Sequence, residues 1–178
     1  MHDVLGKKLE KSRISAVLPL INGRLLDIGC GMNNLVKSYG SGIGVDVYNW
    51  GDVDIVVEDT ANLPFRDHEF DTITIIAALN HIPNRGEVLK ECDRVLSDQG
   101  KLIITMIPPF ISGIWHMLRK PWDVDQRQRG MVQGEVFGFR KNQLVELCDR
   151  LGFRLVLRQR FMLGINSISM FEKKHMEG

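Results

Sequence analysis

Seven apolar runs, separated by turn residues, divide the sequence into segments of strand length. Two stripes with helical spacing lie between them, one from Val88 to Leu96 that should end at Gly100, and one from Leu144 to Leu151 that should end at Gly152. Helices that alternate with nearly continuous apolar strands predict an α/β fold, with a mostly parallel sheet covered by helices on both faces. The seven runs are Arg24 to Ile28, Gly42 to Val47, Ile55 to Val57, Thr72 to Leu79, Lys101 to Ile107, Arg154 to Phe161 and Ser167 to Glu172.

The last two runs predict a different arrangement from the others. Only residues 162–166 separate them, which is too short for a parallel crossover, so we expect an antiparallel hairpin. In the sixth run Arg154, Arg158 and Arg160 lie at even-numbered positions, and most odd-numbered positions are apolar, so the two sets belong to opposite faces of the strand. This pattern is typical of a strand at the edge of a sheet, with one face partly in water and guarded by charge.

The composition fits a single globular domain over residues 1–178. Hydrophobic residues make up 44% and charged residues 25%, far from the composition of disordered chains. The three cysteines are odd in number and lack the spacings of a zinc site, so we expect no metal and no disulfide framework, and a reducing, cytoplasmic compartment. The net charge is +1 with no block of five basic residues, so we expect no nucleic-acid partner.

No segment of the sequence has the pattern of a membrane span. The longest stretch without a formal charge, Leu102 to Leu118, contains Pro108, Pro109 and Gly113, which a continuous transmembrane helix would rarely tolerate. The first 24 residues carry scattered charges and only a short apolar piece, so they do not resemble a signal peptide.

Two glycines follow the first apolar run, where the chain reads LLDIGCG over residues 25–31. Glycine lets a backbone turn sharply out of a sheet and approach a ligand without a Cβ clash. Open α/β sheets bind ligands at the carboxyl ends of central strands, so a ligand is expected at this turn. A tight strand-to-helix turn without a ligand is the alternative if the two glycines are considered alone.

Acidic residues end the next two strands, and this places them at the same edge of the predicted sheet. Asp46 closes the second run 15 positions after Gly31, where a carboxylate can accept both hydroxyls of an adenosine ribose. Asp59 follows the third run. The ordered set of Asp27, Asp46 and Asp59 favours a ligand site over a plain turn.

These segments together resemble the class I S-adenosylmethionine-dependent methyltransferases, particularly the small-molecule branch that includes the ubiquinone and menaquinone biosynthesis methyltransferases. The resemblance covers roughly residues 24–105. It implies a Rossmann-like, seven-stranded sheet in the order 3-2-1-4-5-7-6 with strand 7 antiparallel, which agrees with the hairpin expected above. The matching motifs are LLDIGCG at 25–31, GVD at 44–46, DTANLPF at 59–65, FD at 70–71, NHI at 80–82 and ECDRVLSDQGKL at 91–102.

The resemblance implies S-adenosyl-L-methionine as the cofactor. By that resemblance Asp27 and the glycine loop hold the methionine end, Asp46 takes the ribose hydroxyls, and Asp59 with neighbouring backbone faces the adenine. The implied reaction moves a methyl group to a small or lipid-like molecule by in-line displacement, in which alignment and exclusion of water supply most of the rate. The cofactor-binding residues implied in this way are Asp27, Gly29, Cys30, Gly31, Asp46, Val47, Asp59, Thr60 and Ala77.

The sequence departs from the family pattern at two places. Asn33 stands where the family often has a third glycine, and we expect binding to survive because asparagine tolerates left-handed backbone conformations. The stretch from Asp46 to Ile55 is too short for the usual helix between strands 2 and 3. We therefore expect a sheet that is bare on that flank and open to a partner, with the oligomeric state undetermined.

Residues 108–138 are expected to form an insertion that covers the substrate. The polar segment 119–135 is long for a connector, which favours a lid or recognition loop over a plain solvated loop. Arg127 and Arg129 are candidates for an anionic group on the substrate. An apolar stripe that includes Trp115 could roof the substrate or simply pack on the core. The predicted substrate-binding residues are Trp115, His116, Arg127, Arg129 and Glu135.

His81, after the fourth strand, is the predicted catalytic residue. It would act as a general base if the methyl acceptor is a hydroxyl, with His116 and Glu135 as further candidates. A histidine that only hydrogen-bonds a loop is the alternative.

Two other functions fit part of the pattern. A nicotinamide-dinucleotide-binding oxidoreductase would also use Gly29, Gly31 and Asp46, but its fingerprint requires a third glycine at position 34, where this chain has Asn34. Such an enzyme also has no need of Asp27. A non-catalytic binding protein of the same fold is the second alternative, because methyl transfer leaves few obligatory catalytic residues.

Overall fold

The computed structural model describes residues 4–106, 142–162 and 164–174 of the chain. Within these residues, helices and strands alternate along most of the chain, and short 3-10 turns at Leu18–Leu20 and Leu79–His81 join some of them. The helices and strands are α1 Val4–Val17, β1 Leu25–Ile28, α2 Asn34–Tyr39, β2 Ile43–Asp46, β3 Ile55–Val56, β4 Phe70–Ile76, α3 Arg85–Val95, β5 Leu96–Met106, α4 Gln143–Arg150, β6 Phe153–Phe161 and β7 Asn166–Lys173.

The strands form one sheet in the order β3-β2-β1-β4-β5-β7-β6. Strands β1 to β5 pair in parallel, and β7 runs antiparallel to both β5 and β6. The predicted order and the antiparallel seventh strand are therefore confirmed. Because β1 and β4 lie next to each other at the centre, the crossovers leave β1 towards β2 on one side and towards β4 on the other. This reversal of direction is where open α/β sheets form ligand crevices.

Two apolar cores lie on opposite faces of the sheet, because neighbouring side chains of a strand point to opposite faces. Leu26 and Ile28 of β1 belong to the core that contains apolar residues of α3 and α4. Leu25 belongs to the other core, with residues of α1 and α2. All three side chains are fully buried, and each such burial stabilises the fold by about 1.5 to 3 kcal/mol. Helices thus cover both faces, as predicted.

The junction between α3 and β5 differs from the prediction. The helical stripe was expected to end at Gly100, but α3 ends at Val95, and β5 begins at the fully buried Leu96. Phe70 pairs with Leu96 and the next pair is Thr72 with Lys101, so residues 97–100 form an irregularity in the strand. Residues 97–99 are polar and cannot extend the apolar stripe, and pairing with β4 ends the helix earlier than its periodicity alone indicates.

The two edges of the sheet have different characters. On β6, Phe153 is buried while Arg154 and Arg158 are exposed, which confirms the prediction of a charged edge strand. At the other edge β3 is two residues long, and Val56 is 49% exposed. No helix lies between β2 and β3, where all residues are described, so that flank is bare as predicted. In the described part of the chain no helix is long and apolar enough to cross a membrane.

Candidate active site

A cavity of about 830 Å3 opens at the carboxyl ends of β1, β2 and β4, where the sheet topology predicts a ligand crevice. Its described walls are mostly apolar and carry four carboxylates without any lysine or arginine, so they favour a ligand that bears positive charge. The lining residues are Glu10, Gly29, Gly31, Met32, Asp46, Val47, Trp50, Glu58, Asp59, Thr60, Ile76, Ala77, Ala78, His81, Ile82, Pro83 and Asn84.

The glycine loop leaves β1 through two left-handed residues. Gly29 has φ +72° and Gly31 has φ +54°, conformations that side chains other than glycine adopt at a cost. The N–H groups of Gly29 and Cys30 both donate to the carbonyl of Val45, at 2.8 and 3.1 Å, which holds the turn against β2. A Cβ at Gly29 would lie 2.7 Å from the Cβ of Ala78, whereas a Cβ at Gly31 would meet nothing within 4 Å. Packing therefore requires glycine at 29, but it leaves open space in front of 31.

Asp46 joins the end of β2 to the glycine loop. Its Oδ2 accepts the N–H of Gly31 at 3.0 Å, and its Oδ1 accepts the N–H of Tyr48 at 3.1 Å. The side chain is only 7% exposed, yet it lines the cavity. Each carboxylate oxygen has acceptor capacity beyond these two bonds, so Asp46 can still receive hydroxyl donors from a ligand.

Asp27 lies beneath the loop and does not line the cavity. Its Oδ1 accepts the hydroxyl of Thr74 at 2.6 Å, and the side chain is 2% exposed. Burial raises the pKa of this carboxyl to about 7; the Thr74 hydrogen bond opposes this effect, and the charge of Asp46 adds to it. Cys30 also stays outside the cavity wall, and burial together with nearby carboxylates raises the pKa of its thiol to about 12, which favours the protonated thiol at neutral pH.

The loop after β3 contributes Glu58, Asp59 and Thr60 to the cavity wall. Asp59 Oδ1 accepts the N–H of Ala61 at 2.8 Å, and the Asn84 side-chain amide donates to both carboxylate oxygens, at 2.9 and 3.1 Å. Thr60 is buried beside it and lines the cavity. Asn84 directly precedes α3, so its bonds to Asp59 join the start of α3 to the loop after β3.

A charged network anchors the same loop from α3. Glu91 Oε1 accepts the N–H of Leu63 at 2.8 Å and the Arg94 guanidinium at 2.6 Å. Arg94 also donates to the carbonyl oxygens of Phe65 and Leu63 and to Asp67. Hydrogen bonds from Arg94 hold the pKa of the Glu91 carboxyl below its ordinary value, so this pair stays ionised at neutral pH.

The end of β4 forms part of the cavity wall. Ala77 has φ +54°, a left-handed conformation that costs free energy in any residue but glycine, and its N–H donates to Thr105. His81 ends the 3-10 turn that follows, and its own N–H donates to the carbonyl of Ala78 at 2.9 Å. Its side chain is half-buried and lines the cavity beside Ile82.

The part of the chain that forms the cavity is similar to known proteins. Residues 26–104, which contain β1 to most of β5 and nearly all of the cavity wall, match the model of a methyltransferase domain. The matched stretch is slightly less than half of the chain. Two solved structures with a similar fold, from Thermotoga maritima and Methanosarcina mazei, are described as SAM-dependent methyltransferases.

Two curated relatives of this chain are methyltransferases whose names give different acceptors. It is 31% identical over 120 residues to a demethylmenaquinone methyltransferase of Thermotoga maritima, a match that spans 58% of this chain and 52% of the relative. It is 32% identical over 123 residues to sterol 4-C-methyltransferase strm-1 of Caenorhabditis elegans, which spans 58% of this chain and 34% of that protein. The chain thus spans about half the length, or less, of these two relatives.

Solved structures share the whole fold at lower identity. A Thermotoga maritima protein described as a SAM-dependent methyltransferase, possible histamine N-methyltransferase, superposes with a TM-score of 0.68 at 19% identity. The superposition covers 92% of this chain and 89% of the other. At this identity the likeness concerns the fold, and it extends beyond the matched domain to β6 and β7.

The structure brings together most of the cofactor-side residues that the sequence analysis singled out. The cavity wall contains Gly29, Gly31, Asp46, Val47, Asp59, Thr60, Ala77 and His81, and it leaves out Asp27 and Cys30. The predicted insertion at 108–138 lies outside the described residues. So do the acceptor-side candidates Trp115, His116, Arg127, Arg129 and Glu135.

Nine of the lining residues were not assigned to the site by the sequence analysis, and Glu10, Trp50 and Asn84 are among them. Glu10 reaches the cavity from α1, and its Oε1 accepts the Asn34 side-chain amide at 2.8 Å. Trp50 belongs to the connector between β2 and β3, where its ring packs 4.7 Å from that of Tyr48. Asn84 had a local signal, because it precedes a helix, but nothing in its neighbours indicated Asp59 as its partner. Only the tertiary packing brings these residues to the site.

Proposed function

We propose that this chain transfers a methyl group from S-adenosylmethionine to a small or lipid-like acceptor by in-line displacement. One observation carries the proposal: the cavity at the carboxyl ends of β1, β2 and β4 is lined by the open glycine loop and by Asp46, which accepts the N–H of Gly31. The names of the relatives, which include demethylmenaquinone and sterol methyltransferases, support an acceptor of this chemical class.

The residues present fit the cofactor. A Cβ at Gly31 would project into open space at the cavity wall, so the absence of a side chain leaves room for a ligand. Asp46 and Val47 would hold the ribose, Asp59 and Thr60 the adenine, and Gly29, Gly31 and Ala77 the methionine end. Asp27 and Cys30 would support the loop from beneath, since neither reaches the cavity.

The bound cofactor supplies a methyl group on a positively charged sulfur, a good leaving group that needs little further activation. The chain's own contribution is alignment and exclusion of water. Ile76, Ile82 and Pro83 give the cavity an apolar wall next to His81, where water would otherwise compete with the acceptor. The four wall carboxylates favour positive charge in the same space.

His81 would take the proton from an acceptor hydroxyl, because its half-buried imidazole lines the cavity beside Ile82. Acceptor recognition is assigned to Trp115, His116, Arg127, Arg129 and Glu135, and closure of the site to residues 108–138. We infer a cytoplasmic location without a nucleic-acid partner from the free cysteines Cys30, Cys92 and Cys148 and the lack of a basic run.

The experiment that tests this function measures formation of S-adenosylhomocysteine by mass spectrometry. The purified chain is incubated with S-adenosylmethionine and a panel that contains a quinol, a sterol and an aromatic amine. We expect product with one acceptor class above the acceptor-free control, and a loss of at least tenfold in kcat for His81→Ala if that acceptor is a hydroxyl. Cofactor binding without product from any class would favour a non-catalytic protein of the same fold.

The nicotinamide alternative is not favoured by the comparisons, since the matched domain and the curated relatives are methyltransferases. In the structure Asn34 is the first residue of α2, and its side-chain amide donates to Glu10. Position 34 therefore does not provide the third glycine of a dinucleotide-binding loop.

A further inference from the structure

Asn33 adopts an unusual conformation directly after the glycine loop. It has φ +58° and is 3% exposed, and it precedes the first residue of α2. Its backbone N–H donates to the carbonyl of Cys30, and its carbonyl accepts the N–H of Lys37. Asparagine adopts left-handed conformations more readily than most residues, so the backbone here resembles that of a glycine while a side chain is retained.

That side chain joins the glycine loop to the connector between β2 and β3. The Asn33 amide nitrogen donates to the carbonyl of Asp52 at 3.0 Å and to Oδ2 of Asp54 at 2.8 Å. The same Oδ2 accepts the N–H of Gly44 at 2.8 Å, and the N–H of Asp54 donates to the Gly44 carbonyl at 3.1 Å. One asparagine and one aspartate therefore connect three segments that are far apart in the sequence.

The arrangement requires close contact at β2. A Cβ at Gly44 would overlap the Asn33 side-chain oxygen and would lie 2.7 Å from its Cγ. That oxygen is buried with no hydrogen-bond partner among the described residues. Both atoms that face the amide nitrogen, the Asp52 carbonyl oxygen and Oδ2 of Asp54, are acceptors, so these two bonds fix the orientation of the amide. The same orientation leaves the oxygen buried without a partner, which costs stability.

The connector that Asn33 holds also carries part of the cavity wall. No helix supports it, and it contains Val47 and the half-buried Trp50, which both line the cavity. At its start, Asp46 is tied to the loop through Gly31. We propose that Asn33 and Asp54 act as positioning residues that hold the wall formed by residues 46–50 against the glycine loop and so set the affinity for the nucleoside part of the cofactor. The inference rests on the proposed function for the identity of that ligand.

The test compares binding of S-adenosylhomocysteine with the position of Trp50. Asn33→Gly removes both side-chain bonds but keeps a residue suited to φ +58°, and Asp54→Ala removes the shared acceptor. Each change should raise the Kd for S-adenosylhomocysteine by roughly tenfold, and the double variant should add little to either single one, because both belong to one network. Lys37→Met is the matched control: its exposed ion pair with Asp52 joins α2 to the same connector, and we expect a Kd within about twofold of wild type.

A second readout does not depend on the ligand. With Trp115 and Trp122 replaced by phenylalanine, Trp50 is the single tryptophan, and its emission in the free protein should shift to the red when Asn33→Gly is added. Asp54→Asn keeps one oxygen acceptor and should restore part of the affinity lost in Asp54→Ala. Unchanged Kd and unchanged Trp50 emission in folded Asn33→Gly would overturn the inference. If wild type does not bind S-adenosylhomocysteine, the proposed function fails, and the Trp50 emission still decides whether Asn33 holds the connector.

Discussion

The backbone N–H of Gly31 donates to Oδ2 of Asp46 at 3.0 Å, so the residue expected to hold the ribose also fixes the loop expected to hold the methionine end. Two functions that the sequence assigned to separate motifs are thus linked by a single hydrogen bond. Removing the carboxylate affects both at once, and a variant at this position reports on the whole cofactor site.

Asp46→Ala should lower the affinity for S-adenosylhomocysteine by roughly 1 to 3 kcal/mol, the range of hydrogen bonds to a charged acceptor. Asp46→Asn retains one oxygen that can accept the Gly31 or the Tyr48 N–H, so its loss should be smaller. Isothermal titration calorimetry on both variants, after circular dichroism has shown that they fold, measures the difference. Equal affinity of wild type and Asp46→Ala would remove Asp46 from the site.

Substitutions at the two loop glycines should separate binding from folding. Gly31→Ala meets no neighbouring atom, and we expect it to cost about 1 kcal/mol of stability for its left-handed backbone while it blocks the cavity. Gly29→Val would drive a branched side chain into Ala78 and should mainly lower the free energy of unfolding. Chemical denaturation and ligand titration of the two variants provide the comparison. A Gly31→Ala protein that binds S-adenosylhomocysteine as wild type does would place the ligand elsewhere.

Arg94→Lys should loosen the loop after β3. A lysine cannot reproduce the fork that bonds Glu91, Phe65 and Asp67 together, so we expect a loss of roughly 1 to 3 kcal/mol in the free energy of unfolding. Arg150→Lys on α4, an exposed arginine with one bond to the Glu146 carbonyl, is the control and should change stability by less than about 0.5 kcal/mol. If the two variants are equally stable, the Arg94 network does not hold the loop.

Asp27 predicts a specific pH dependence of stability. Its pKa is raised from an ordinary 3.8 to about 7 in the folded protein, so between these values the folded state binds more protons than the unfolded state. The contribution of this group to the free energy of unfolding therefore falls as the pH rises from about 4 to about 7, and it is constant above that range. Asp27→Asn keeps a partner for Thr74 without the charge, so its stability should fall less across this window in denaturation at pH 4.5 and 7.5. Parallel curves for the two proteins would show that Asp27 is not the group responsible.

Much of this fold could be predicted, because its signals are local. Apolar runs mark the strands, the short linker predicts the β6–β7 hairpin, and alternating arginines mark β6 as an edge. The end of α3 could not be predicted in this way. There the pairing of Leu96 with Phe70 outweighs the helical periodicity, and that pairing depends on residues 26 positions away.

The same distinction applies to the site. Gly29, Gly31 and Asp46 follow directly from strand ends, and the structure brings them to one cavity. Glu10 could not be found from the sequence, because α1 mixes charged and apolar residues without a clear stripe. The bond from Asn33 to Asp54 was equally hidden: the sequence showed only a missing glycine, and the structure shows what the replacing side chain contacts.

The most direct test of the central claim is calorimetry of the purified chain with S-adenosylmethionine, S-adenosylhomocysteine and NAD+. From the glycine loop, Asp46 and the acidic cavity we predict saturable one-to-one binding of the first two ligands. We predict that this binding is lost in Gly31→Ala. For NAD+ we predict no heat of binding beyond the heat of dilution. Saturable binding of NAD+ with no response to either sulfur ligand would contradict the account.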